Sequence, residues 1–92
     1  QYMILPVSDK YIEYARIVHQ GLRSQGLRGD IDDRTESIGK KIRDNELRKI
    51  PFMLIVGEKE QEQDQVSVRR QGSGDQGSVS INDFISMIRQ EL

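Results

Sequence analysis

The chain opens on an apolar run, "QYMILPV" (1–7), whose tyrosine and β-branched residues fit a buried strand. Pro6 has no N–H to give a ladder, so it marks that strand's end or an edge position. Tyr11, Tyr14, Ala15, Val18 and Leu22 then recur at i, i+3, i+4, i+7 and i+11. That spacing predicts a helix over 10–25, with Ser8 or Asp9 as its cap and Gly26 as the residue that ends it. "LRGDID" (27–32) is weakly patterned, but its place after the helix predicts a second strand.

Residues 38–49 read as a helix capped by Thr35 or Ser37, with a thin apolar stripe of Ile38 and Ile42. Leu47 falls nearly opposite that stripe, and the helix is expected to fray before Pro51. "FMLIVG" (52–57) is a continuous apolar run, as expected of a central strand covered on both faces. "QVSVRR" (65–70) alternates, with Val66 and Val68 facing one way and Ser67 and Arg69 the other. The intervening "EKEQEQD" reads as a hairpin tip, and "QGSGDQGS" (71–78) as a flexible Gly/Ser loop. Ser80 and Asp83 have the spacing of a capping box, opening a last helix with Ile81, Phe84, Ile85, Ile88 and Leu92 on its apolar face.

The early strand–helix alternation predicts parallel strands with right-handed crossovers, and the later strands add antiparallel pairing. The fold class is therefore α/β, a small mixed sheet with helices on both faces. The 92 residues make one domain, 1–92, with no internal repeat or linker. With 35% apolar and 32% charged residues, the composition suits a globular chain with a wet surface. No apolar run approaches the roughly 20 residues that cross a bilayer. "YMILPV" lacks the basic flank and cleavage tail of a signal peptide. There is no cysteine, which excludes disulfides and is compatible with a cytoplasmic location.

Fourteen Lys and Arg against fifteen Asp and Glu argue against gripping duplex DNA by counterion release. Reading a few unpaired bases stays open, because local geometry then matters more than total charge. Catalysis has little to work with. His19 is the sole histidine and reads as a surface or boundary residue beside the first helix's apolar stripe, and no Cys/His cluster has metal-ligand spacing. Asp32-Asp33 reads as turn or helix-entry chemistry, since neighbouring strand residues point to opposite faces. "GSGDQG" lacks the Lys-Ser/Thr of a phosphate loop.

Polar recognition remains. Residues 34–49 hold six cations (Arg34, Lys40, Lys41, Arg43, Arg48, Lys49) against three anions (Glu36, Asp44, Glu46). One reading is a solvated face with local ion pairs such as Arg48 with Asp44, worth a few tenths of a kcal/mol. The other is phosphate positioning by Lys40 and Lys41, with Arg43 as a directional donor. Glu60 and Arg69 flank a predicted hairpin. They either pair with each other or face RNA, the carboxylate accepting from guanine and the guanidinium donating to base carbonyls. Three of the five aromatics (Tyr11, Tyr14, Phe84) sit on core stripes, so edge hydrogen bonding would carry more specificity than stacking.

"SIGKKIRDNELRKIPFMLIVGEKE", followed by "VSVRRQG" and "GSVSINDFISMI", closely resembles the C-terminal anticodon-binding domain of bacterial threonyl-tRNA synthetase. The resemblance covers nearly the whole chain, from "MILPVSD" to the last helix, and the prolyl, glycyl and histidyl enzymes of class IIa share the fold. It implies a three-layer, mixed five-stranded sheet flanked by three helices. It also implies a role in reading the guanine and uracil that end threonine anticodons. The residues it implies for base contact are Arg43 of "KIR", Glu60 of "GEKE" and Arg69 of "VSVR". Thr35 stands where the family commonly has asparagine, beside Glu36, and a Thr hydroxyl lacks the amide's donor–acceptor pair.

By the same resemblance the chain is an excised or C-terminal part of a longer synthetase and is itself non-catalytic. ATP, Mg and Zn are then expected only in the parent's catalytic part. The implied partner is the threonine tRNA anticodon stem-loop, with no DNA or membrane partner, and the parent is implied to dimerise through its catalytic domain. The alternatives are a free-standing protein-interaction module on the same fold, or the anticodon-binding domain of another class IIa synthetase.

Overall fold

The structure is a computed structural model that describes residues 1–91. Five strands, β1 (Tyr2–Pro6), β2 (Gly29–Ile31), β3 (Phe52–Val56), β4 (Gln65–Arg70) and β5 (Gly74–Ser80), form one sheet in the order β2-β1-β3-β4-β5. β1 runs parallel to both β2 and β3, whereas β4 is antiparallel to β3 and β5. The expected α/β class with a mixed five-stranded sheet is what the chain adopts. "FMLIV" is its middle strand.

Helices α1 (Ile12–Ser24) and α4 (Ile81–Gln90) cover one face of the sheet, and α2 (Ile38–Leu47) covers part of the other. Strand alternation divides the side chains between these layers. Tyr2, Ile4, Phe52, Leu54, Val56, Val66 and Val68 pack with Tyr14, Val18, Leu22, Phe84 and Ile88. Met3, Leu5 and Met53 point the other way, against Ile38, Ile42, Ile50 and Ile55. Leu47 is 76% exposed, as its position opposite the α2 stripe predicts. Gly29 must be glycine, because a Cβ there would run into the Tyr2 ring across the β1–β2 pair.

Several boundaries and two elements differ from the sequence reading. Ser8 starts a short 3-10 turn at Asp9–Tyr11, so α1 begins at Ile12. Ser37, not Thr35, caps α2 by accepting the Lys40 N–H at 3.2 Å. The supposed hairpin tip is a helix, α3 (Glu58–Gln63), so four helices rather than three flank the sheet. Its residues are good helix formers without an apolar stripe, and the Glu60 carboxylate accepts the Gly57 N–H at 2.8 Å, capping its first turn. Asp64, in the left-handed region at φ 53°, ends it.

The Gly/Ser stretch also differs. Only 71–73 turn, and β5 then pairs with β4 along an irregular register with a bulge at Val68/Arg69. This edge strand is held by backbone pairing more than by burial, which is why its composition reads as a loop. In α4, Ser80 accepts the Asp83 N–H at 3.0 Å, and Phe84 and Ile88 are buried. Leu92, expected on the same face, lies outside the described residues.

Candidate functional site

β1 connects through α1 to β2 on one side, and the chain then crosses through α2 to β3 on β1's other side. This is a topological switch point, and in open α/β sheets ligands collect beyond the carboxyl ends of such strands. A pocket of about 730 Å³ lies there, lined by residues 7–10, by Arg34, Thr35, Glu36 and Ser37, and by Lys41.

The segment from β2 into α2 is fixed by an ionic network. Arg34 donates from Nε to Asp32 Oδ1 and from Nη2 to Asp32 Oδ2, both at 2.8 Å, and from Nη1 to Asp44 at 3.0 Å. Asn45 donates to Asp32 Oδ2 at 3.0 Å, and Lys40 donates to Asp44 at 2.9 Å. The fork on Asp32 is the bidentate arrangement that makes guanidinium–carboxylate pairs strong. Hydrogen bonding from Arg34, against the opposing cost of burial, holds the Asp32 carboxyl down at about 2. Lys40, then Arg34, lowers Asp44 as well, and the same carboxylates raise Arg34.

The Arg48–Asp44 side-chain pair expected from spacing does not form, because Lys40 and Arg34 occupy that carboxylate. Arg48 instead gives its backbone N–H to the Asp44 carbonyl. Asp32 is thus the anchor of the loop that carries Thr35 and Glu36, both exposed on the pocket wall. Neither Asn45 nor the Asp32–Arg34 fork was legible beforehand, since an Asp-x-Arg spacing is common and only the fold turns it into a clamp.

The flank of α2 that carries Lys40 and Asp44 is held toward the end of β2. Helical geometry sets Arg43 on the solvent side of α2, one turn before the exposed Leu47. Arg43 is exposed there, with no side-chain partner among the described residues. Ser67 and Arg69 project to the same face as Met53 and Ile55, because they pair with Ile55 and Met53 and their strand-mates Val66 and Val68 face the other core. Ser67 and Arg69 are both half-buried on that face.

Glu60 stands at its end. One carboxylate oxygen accepts the Gly57 N–H and the other the Ser67 hydroxyl, each at 2.8 Å. Glu60 and Arg69 therefore do not pair. They are set apart by the Ser67–Arg69 step, roughly 7 Å along the strand. A carboxylate has about four lone-pair sites, so Glu60 keeps acceptor capacity beyond these two bonds. Arg69 is half-buried, its Nε is buried without a hydrogen-bond partner, and its guanidinium makes no ion pair among the described residues. Ser67, which fixes the Glu60 carboxylate, is the residue the sequence reading passed over.

Lys41 differs from its neighbours on α2. It is 3% exposed and donates from Nζ to the Pro6 carbonyl at 3.1 Å. His19, half-buried on α1, meets the Tyr2 hydroxyl at 2.7 Å on the far side of the sheet. Burial raises that Tyr2 hydroxyl to about 12. No helix of the described residues is long and apolar enough to cross a membrane.

Residues 1–91 match the family model of the anticodon binding domain. The whole chain is 51% identical to part of a threonine–tRNA ligase of Bacteroides fragilis, and 46% to one of Cytophaga hutchinsonii. In each case it spans only 14% of the relative's length. Among solved structures, the RNA-binding domain of threonyl-tRNA synthetase from Cryptosporidium parvum superposes with a TM-score of 0.91 at 27% identity, over 98% of this chain and 23% of that one. Histidyl-tRNA synthetase from Nostoc gives 0.89 at 24% identity, over 99% and 22%, which is a likeness of fold.

Proposed function

The chain belongs to the anticodon-binding domain family, and from that premise we propose that it grips the anticodon loop of threonine tRNA. In this reading it recognises the guanine and uracil that end threonine anticodons. The observation that carries the reading is Arg69, a half-buried arginine whose Nε has no hydrogen-bond partner. Burying such a donor without an acceptor is costly, and a base carbonyl supplies the acceptor. Glu60, oriented by Gly57 and Ser67, accepts from the Watson–Crick edge of guanine. Arg43 donates from the exposed side of α2, while Thr35, Glu36 and Lys40 stand on exposed surface at the switch point.

The remainder of the parent protein is assigned the ligation of threonine to its tRNA, the ATP, magnesium and zinc that this uses, and dimerisation. The cytoplasm is the location this reading implies. Near-neutral charge suits this role, since it limits indiscriminate phosphate binding while leaving directed base contacts.

The test is a titration of the 92-residue chain with the anticodon stem-loops of threonine tRNA and of a tRNA lacking that guanine–uracil pair. Tighter binding of the threonine stem-loop is expected. Equal affinity for both would remove the base-reading claim.

A further inference from the structure

We propose that the pocket over Lys41 is a phosphate-binding site, and that in the RNA complex it holds one backbone phosphate apart from the base contacts. Lys41 is a cationic side chain at 3% exposure whose Nζ has one hydrogen bond, to the neutral Pro6 carbonyl. None of the ion pairs among the described residues involves it. A buried cation is ordinarily compensated by an anion, and a single carbonyl satisfies one of its three N–H donors. The other cation close by does not share this state, because Arg34 is already neutralised by Asp32 and Asp44.

The surroundings of Lys41 specify what completes it. Lys41 and Ser37 both line the pocket, one turn apart at the start of α2, where the helix presents the positive end of its dipole. Ser8 also lines it, and its hydroxyl caps no helix. Lys41, Ser8 and Ser37 thus offer donors from β1's exit and from α2's first turn. Converging donors of this kind suit the several oxygens of a phosphate group. Lys10 adds a further cation to the rim; Asp9 and Glu36, both exposed, are the rim's anions, and neither pairs with Lys41. One phosphate group is the ligand such a mixed rim admits.

Phosphate binding as such is independent of the RNA reading, whereas the backbone contact rests on it. Two arms separate the sources. In the first, the 92-residue chain is titrated with sodium phosphate against sodium chloride at matched ionic strength, following backbone amide NMR shifts. Saturable shifts confined to Ser8, Ser37 and Lys41 and their neighbours are expected with phosphate alone. Lys41→Met should abolish them while the chain stays folded, since a buried charge without a counterion is costly and Met keeps most of the side-chain volume. If that variant does not fold, the wild-type titration decides. Linear shifts shared with chloride would overturn the site.

In the second arm, threonine stem-loops carry a single neutral methylphosphonate linkage at successive loop positions. One position should weaken wild-type binding about tenfold and leave Lys41→Met unaffected, and that variant should lose about one unit of salt slope. Phosphate binding without any sensitive linkage would overturn the backbone contact and leave a free-phosphate site. A stem-loop that does not bind at all would overturn the RNA reading, and the first arm would still decide the pocket.

Discussion

The two faces of the sheet are built differently. Under α1 and α4 lie fourteen buried core residues, among them Tyr2, Leu22, Leu54 and Phe84. On the α2 face, among the described residues, only Met3, Leu5 and Met53 are buried apolar residues. Polar chemistry follows the opposite distribution. Asp32, Lys41 and Asn45, the buried polar residues among those described, all belong to the α2 side. So do the two buried polar atoms without partners, Asn45 Oδ1 and Arg69 Nε. Native chains satisfy nearly all such groups, and exceptions gather where a ligand is expected. One face holds the fold together, and the other, thin and polar, is the face proposed for recognition.

The largest effect expected from breaking this asymmetry is at Phe84, which stacks edge-on against both Tyr2 and Phe52. Phe84→Ala should cost about 3–5 kcal/mol, read from the urea midpoint. Ile55→Ala, half-buried on the thin face, should cost only about 1–2 kcal/mol in the same assay. Equal costs would mean that the faces share the load.

Asp32→Asn should cost on the order of 2 kcal/mol, because it removes the charge that both Arg34 and Asn45 hold. The pH dependence has a definite sign. Asp32 is held at about 2 when folded, below the roughly 3.9 of an unfolded aspartate. Its stabilisation is therefore full above about pH 4 and is lost as pH falls through about 2. Urea midpoints measured across that window should fall less steeply in Asp32→Asn than in the parent chain. Glu60→Ala should cost about 1 kcal/mol through the lost α3 cap, measurable by circular dichroism melting. Leu47→Lys, on a surface that touches neither core nor site, should stay within about 0.5 kcal/mol.

Much of this division was legible in the residues themselves. The i, i+3, i+4 stripe of α1 and the apolar run "FMLIV" located the thick core, because burial imposes a period on the sequence. The thin stripe of α2 was also legible, although "FMLIV" read as covered on both faces. α3 was missed because "EKEQEQ" is polar all round, and its helix depends on the Glu60–Gly57 cap rather than on an apolar face. A fifth strand was expected, but 71–78 read as a loop, because the strand character of β5 comes from pairing with β4, which a Gly/Ser composition does not announce. Arg43, Glu60 and Arg69 were singled out through resemblance and charge. What spacing could not give was their arrangement: Glu60 turned to Ser67, Arg69 left without an ion pair, and Lys41 buried while Lys40 is exposed. Those outcomes depend on which helix flank the fold presents, and the one-dimensional charge pattern is the same either way.

Arg69→Ala, followed in parallel by urea denaturation and by titration with the threonine anticodon stem-loop, tests the division of labour most directly. Binding should weaken by about 1–3 kcal/mol while unfolding changes by less than about 0.5 kcal/mol, since among the described residues Arg69 makes no ion pair and its Nε has no hydrogen-bond partner. A loss of folding stability as large as the loss of binding would instead make Arg69 part of the scaffold, and the recognition face would lose its central donor.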